Sequence, residues 1–201
     1  MNILLAEQDR DFLTAYSRLL GGRGHEVTTV FDGTQALCKL SQESFELVIL
    51  DEQLPRVPSD EILRLLIRKG IPVIVILHRK INTGILTGEL SANAYLSLPF
   101  LPNELTALID SINSKRSSGE SLVYGDISFE LSEFTLCGSL RVTNEEIEIF
   151  RSLISEKEPD SSKRAGPYIN ALNFRLEKLG KKQRIEYIMN KGYRLVMIEH
   201  E

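Results

Sequence analysis

The chain has 201 residues, 42% hydrophobic and 26% charged, which suits one large domain or two small ones of ordinary soluble composition. It holds no run of eighteen apolar residues, so no helix is expected to cross a membrane, and its opening turns acidic at Glu7 without a basic segment, so no signal peptide is expected. The net charge of −4 is unevenly spread: residues 163–194 carry nine basic side chains against only Glu177 and Glu186, a cationic segment that points to a polyanion partner.

In chain order, short apolar runs at 2–6, 26–30, 46–50, 72–77 and 94–98 alternate with helical-period segments at 10–20, 33–42, 59–69, 82–91 and 102–114. Five strands alternating with five helices predict right-handed crossovers and a parallel sheet covered on both faces, an α/β fold. Pro102 suits a first helical turn, and Gly70 ends a helix before Ile71-Pro72. Residues 115–121 are small and polar and read as a linker between a domain at 1–114 and another at 122–201.

Beyond the linker, residues 122–140 read as short strands with turns at Gly125-Asp126 and Gly138. Thr143-Asn-Glu-Glu146 is a capping box opening a helix with Ile147, Phe150, Leu153 and Ile154 on one face. Glu158-Pro-Asp-Ser-Ser162 interrupts the helical pattern. A second helix from Pro167 to Leu179 buries Ile169, Leu172, Leu176 and Leu179, with Gly180 past its end, and a hairpin spans Arg184–Met189 and Tyr193–Ile198. Cys38 and Cys137 lack metal-like spacing and are expected to be small buried hydrophobes in a reducing cytoplasm. His25, His78 and His200 form no i,i+4 pair, so no metal site is expected. Nor do a nucleophile, a base and an orienting group converge, so neither an enzyme nor a small-molecule substrate is expected.

Functional groups of an open parallel sheet gather at the carboxyl ends of its strands. Ile3-Leu-Leu-Ala-Glu-Gln-Asp9, Leu47-Val-Ile-Leu-Asp-Glu-Gln-Leu-Pro55 and Ala94-Tyr-Leu-Ser-Leu-Pro-Phe100 place Glu7, Gln8, Asp51, Leu77 and Leu98 there. Over these stretches, and in order across the first 115 residues, the chain resembles the response-regulator receiver family, with its flavodoxin-like five-stranded sheet. The resemblance implies a phosphoacceptor at Asp51, two acids holding Mg²⁺ after strand one, a hydroxyl ending strand four and a lysine before the proline after strand five. An anionic phosphoryl group meeting an aspartate needs the cation, the lysine and the hydroxyl to offset its charge. Here Gln8 replaces the second acid, Leu77 the hydroxyl and Leu98 the lysine. Two readings of Asp51 stay open, residual phosphorylation or a carboxylate hydrogen-bonded at a strand end; the losses favour the second and make Mg²⁺ binding weak or absent. Asp9 is one residue too late to substitute as a ligand.

The resemblance also implies a switch and dimer face at the last strand and last helix of the receiver. Tyr95 matches its aromatic switch residue, and Leu101, Leu105 and Leu108 either form an apolar dimer patch or pack inward.

The C-terminal pattern resembles the winged helix of the OmpR/PhoB type, most sharply at Gly192-Tyr-Arg194, but shortened where a positioning helix and a loop touching RNA polymerase are normally found. The resemblance implies double-stranded DNA as partner, with Pro167–Leu179 as recognition helix. Its outward set is expected to be Tyr168, Asn170, Ala171, Asn173 and Arg175, with Asn170 and Asn173 able to read adenine edges. Lys163, Arg164, Lys181, Lys182, Arg184, Lys191 and Arg194 are expected to hold phosphates. The sequence as a whole points to a cytoplasmic, dimeric, phosphorylation-independent regulator that binds DNA and meets RNA polymerase. The alternative is a protein-interaction adaptor that keeps both folds without binding DNA.

Overall fold

The computed structural model describes residues 1–80, 92–118, 121–124, 127–130, 135–138, 140–154, 165–189 and 192–197. Met1–Lys80 with Ala92–Ile112 forms one compact unit; a second begins at Asn113.

The first unit is a parallel sheet in the order β2-β1-β3-β4-β5, made of β1 (Asn2–Ala6), β2 (Glu26–Val30), β3 (Leu47–Asp51), β4 (Val73–Leu77) and β5 (Ala94–Ser97). Its central strands β3 and β4 are buried at every position, as their unbroken apolar runs require when helices cover both faces, whereas edge strand β2 is mostly open. The helices are α1 (Arg10–Gly21), α2 (Gly33–Gln42), α3 (Ser59–Arg68) and α4 (Pro102–Ser118). The helix expected at 82–91 lies outside the described residues. The strand order reverses between β1 and β3, and this switch point places Glu7 and Asp51 side by side at the carboxyl edge.

Local chemistry sets the helix starts around that edge. The Asp9 side chain caps α1 by accepting from the N–H groups of Asp11 and Phe12, so it is turned away from the pocket. Asp32 caps α2 through the Gln35 N–H. At Gly33 a Cβ would lie 2.6 Å from the Val57 Cβ, so only glycine lets the loop after β3 close over α2.

In the second unit β6 (Ser121–Tyr124), β7 (Ile127–Glu130), β8 (Thr135–Leu136) and β9 (Leu140–Arg141) form an antiparallel sheet. Helices α5 (Asn144–Ile154) and α6 (Ala165–Lys178) follow, then the hairpin β10 (Gln183–Ile188) and β11 (Gly192–Met197). The capping box forms as the sequence requires: the Thr143 N–H donates to Glu146 Oε2 and the Glu146 N–H to Thr143 Oγ1. Phe129 and Phe150 pack with ring centroids 4.3 Å apart in a core that also holds Ile147, Leu172 and Leu176. Gly180 ends α6 at φ 66°, which lets the Lys181 N–H reach back to the Leu176 carbonyl.

Two expectations fail here. Helix α4 does not stop at 114 but runs to Ser118, and from Asn113 on it belongs to the second unit, where Lys115 is buried and donates to Asn144 and Glu148 of α5. Neither cysteine is buried: Cys38 is exposed and Cys137 half-exposed, in a turn at φ 50°. On α2 the buried positions are Ala36 and Leu40, and residue 38, halfway between them, faces the opposite side of the helix.

Candidate functional site

At the carboxyl edge of the first unit Asp51 is fully buried, and its surroundings differ from those the sequence suggested. His78, the residue after β4, places its Nε2 2.9 Å from Asp51 Oδ1. The same oxygen accepts from the Gln53 N–H at 2.9 Å. Asp51 Oδ2 is buried and has no hydrogen-bond partner among the described residues. The Glu7 carboxyl, itself buried, is pushed up to about 7: loss of water dominates, the adjoining Asp51 adds to it, and the Asp9 N–H bonded to Glu7 Oε1 opposes it. At neutral pH Glu7 is therefore partly protonated and can present a proton to Asp51.

Around this pair the loops after β3 and β4 are tied together. The His78 N–H donates to Glu52 Oε1 at 2.6 Å, and Arg79 pairs with Glu52 Oε2 at 3.2 Å. Leu77 is buried, as β4 requires, while Leu98 is partly exposed after β5. Gln8 is exposed and neutral. These donors fit Mg²⁺ poorly: the residue after Glu7 is an amide rather than an acid, and an imidazole already lies against Asp51. Among the described residues no group of three or more His, Cys, Asp or Glu side chains is arranged to hold a metal ion. Sequence reasoning missed His78, since it weighed only residue 77 at the end of β4. The signal was a titratable side chain directly after that strand.

On the receiver's last face Tyr95 is buried, with its hydroxyl accepting from the Ala92 N–H. The three leucines do not form one exposed patch: Leu105 is fully buried, Leu108 half-buried and only Leu101 strongly exposed. Leu105 and Ile109 take the inward stripe of α4, four residues apart.

In the second unit the outward set on α6 needs correction. Ile169, Leu172 and Leu176 are buried as expected, but so are Tyr168, Ala171 and Arg175, because α6 packs on both α5 and β10 and buries a wider face than one stripe. Arg175 Nε donates to Glu146 Oε1 at 3.0 Å, a buried ion pair that turns the arginine inward. Burial pushes the Glu146 carboxyl up, and the guanidinium only partly offsets this. Asn173 Nδ2 donates to the Ile185 carbonyl at 2.9 Å while its Oδ1 accepts the Ile185 N–H at 2.7 Å. The face α6 leaves open carries Asn170, Phe174, Glu177 and Lys178. Lys182 is exposed and Lys181 half-exposed; Arg184 is exposed but pairs with Glu186 at 3.0 Å, and Arg194 donates to the Tyr193 carbonyl. Lys163, Arg164 and Lys191 lie outside the described residues. The helix and hairpin expose the apolar side chains Phe174, Tyr187, Met189 and Met197.

A doubly wound sheet with a buried aspartate at its switch point defines a receiver-type signalling module joined to a helix-and-hairpin unit. The family model described as response regulator receiver domain matches residues 3–110, more than half of the chain, and the chain belongs to that family. It is 29% identical over 109 residues to the DNA-binding response regulator MtrA of Mycobacterium tuberculosis, covering 53% of this chain and 48% of MtrA. It is 27% identical over 120 residues to the transcriptional regulatory protein CutR of Streptomyces coelicolor, covering 58% of this chain and 55% of CutR. The chain thus spans about half the length of the curated relatives it matches. Some solved structures match along nearly the whole chain. A RitR mutant does so with a TM-score of 0.67 and 20% identity over 98% of this chain and 99% of that one. The Thermotoga maritima OmpR/PhoB homologue DrrB gives 0.56 and 22% over 97% and 98%. At these identities the likeness is one of fold alone.

Proposed function

We propose that the chain is a DNA-binding transcription regulator of response-regulator type whose receiver works without phosphorylation and through which it dimerises. One observation carries the phosphorylation half: His78 Nε2 lies 2.9 Å from an Asp51 oxygen, in the place a phosphoryl group would need. A phosphoryl group arriving there would have to displace the imidazole and would meet Leu77 and Leu98 where charge-offsetting donors are needed. Incubation with acetyl phosphate and Mg²⁺ should leave the intact mass unchanged; substantial phosphate addition, absent in Asp51→Asn, would refute this half.

The DNA half is supported by the similarity to MtrA, a DNA-binding response regulator, and to CutR, a transcriptional regulatory protein, and by a helix with an attached hairpin that exposes Asn170, Lys178, Lys182 and Arg184. In such an arrangement the helix enters the major groove and the hairpin reaches phosphate. Exposed Leu98 and Leu101 beside β5 support a receiver dimer, to be checked by analytical ultracentrifugation without any phosphoryl donor. RNA polymerase is the partner such a regulator would meet at a promoter, in the cytoplasm.

A second reading rests on Phe174, Tyr187, Met189 and Met197, exposed where a DNA surface would carry polar groups. It makes the second unit a protein-docking module. Mobility shift against genomic and random duplexes at graded salt decides between them: salt-sensitive binding supports the first, and none supports the second.

A further inference from the structure

We infer that Asn173 is a positioning residue: its amide fixes the hairpin at one place along α6 and reads no base. The inference rests on the DNA-binding reading but deepens it, because it assigns what holds the two reading elements together. A two-stranded ribbon is marginal by itself and needs a neighbour. Among the described residues β10 pairs with β11 alone, so half of its backbone groups face away from that ladder. At Ile185 those groups meet the Asn173 amide, one of the two side-chain types that, like a peptide, carry a donor and an acceptor in one plane. The amide thus stands in for a third strand one residue long.

Because both bonds go to backbone, they fix the register of the hairpin against the helix whatever side chain residue 185 carries. The Ile185 side chain is buried at the same junction, so the polar link and the apolar contact act at one point. Two residues further on, Arg175 is held by Glu146, the residue that closes the capping box of α5. Positions 173 and 175 therefore tie α6 to the hairpin and to the start of α5. Asn170, nearly one turn before Asn173, stays exposed and is left as the helix amide free to meet a base edge.

The test uses the full chain and three variants, Asn173→Ala, Asn173→Asp and Asn170→Ala. Each is titrated at graded salt against a tightly bound genomic fragment and a random duplex, with hydrogen exchange followed at the Ile185 amide. Asn173→Ala should speed exchange of that amide about tenfold, since the amide loses its acceptor. It should weaken binding to both duplexes by the same factor and lower the magnitude of the salt slope by about one to two, as hairpin phosphate contacts are lost together. Asn173→Asp keeps an acceptor for the Ile185 N–H and should retain its protection; it carries the exchange test if the alanine variant does not fold. Asn170→Ala should weaken only the genomic fragment.

Loss confined to the genomic fragment in Asn173→Ala, with the salt slope intact, would make Asn173 a base reader and overturn the inference. Unchanged exchange at Ile185 in Asn173→Ala, or lost protection there in Asn173→Asp, would overturn it too. If the wild-type chain binds no duplex, the DNA reading falls by itself, and exchange at Ile185 still decides whether Asn173 holds the hairpin.

Discussion

The receiver pocket and the α6–hairpin unit use the same device with opposite results. In both, a side chain that the sequence offers to an outside partner is taken by a partner inside the chain. Asp51 is met by His78, and Asn173 and Arg175 by Ile185 and Glu146. At the pocket the internal partner occupies the place where chemistry would happen. In the second unit it builds the scaffold on which other residues can work. A polar residue in a family's functional position is therefore assigned by what it touches, and the two regions respond differently when that partner is removed.

The largest effect is expected at the buried Glu146–Arg175 pair, and it should be asymmetric. Glu146→Gln leaves a buried guanidinium that cannot shed its proton without the Glu146 charge that faces it, which should cost about 3–5 kcal/mol of stability in urea unfolding. Arg175→Met leaves a carboxyl that burial already favours in its neutral form, so it can take up a proton, and about 2 kcal/mol is expected. Equal costs would mean that the pair is not held as the structure has it. Removing the receiver's internal partner should do the reverse. His78→Ala should leave stability nearly unchanged and open the pocket, so that the further changes Gln8→Asp, Leu77→Thr and Leu98→Lys bring phosphorylation of Asp51 by acetyl phosphate and Mg²⁺ into range. Failure of that fourfold variant to gain phosphate by intact mass would show that more than these four side chains separates Asp51 from chemistry.

The fold was legible because burial leaves a periodic record. The all-apolar runs that became β3 and β4, the capping box at Thr143 and the glycine after α6 each specify their own local structure. Leu77 and Leu98 stand where the family resemblance implies a hydroxyl and a lysine, and the sequence alone makes that difference visible. His78 and the roles of Asn173 and Arg175 were not legible. Their partners lie 27, 12 and 29 residues away, and no periodicity encodes a polar contact at that separation. On α6 the error had a simple cause. A helix packed against two elements buries a wider face than one stripe, so polar residues beside the apolar stripe turn inward and must find bonds.

A smaller effect separates the two regions by pH. Glu7 in the receiver and Glu145 at the start of α5 are both raised from the ordinary 4.5 to about 7, each chiefly by burial. Between those values the folded chain keeps protons that the unfolded chain has released. The stability this gives is full below pH 4.5 and is lost as pH rises through about 7. His25 is lowered by burial and works in the opposite sense, losing stability as pH falls, so single variants are needed. Glu7→Gln should flatten the fall in urea midpoint between pH 5 and pH 8 for the receiver, and Glu145→Gln for the second unit. An unchanged profile in Glu7→Gln would mean that the carboxyl beside Asp51 is already ionised at low pH, and the proton it is thought to present would be absent.

The smallest expected effect isolates the surface from the scaffold. Lys182 is exposed at the start of the hairpin, whereas Arg175 is buried in its ion pair. If salt-dependent DNA binding comes from neutralised phosphates, only a charge that reaches one contributes, at a slope of about −0.9 per contact. Lys182→Ala should therefore lower the magnitude of the slope by about one without altering urea unfolding. Arg175→Lys keeps the buried charge on a different head group, and although it should cost stability, it should leave the slope at the wild-type value in whatever fraction stays folded. A slope that fell in Arg175→Lys but not in Lys182→Ala would place the arginine on DNA after all, at the expense of its bond to Glu146. The second unit would then have to open at α5 when it binds, and the contrast between a filled pocket and a built scaffold would not hold.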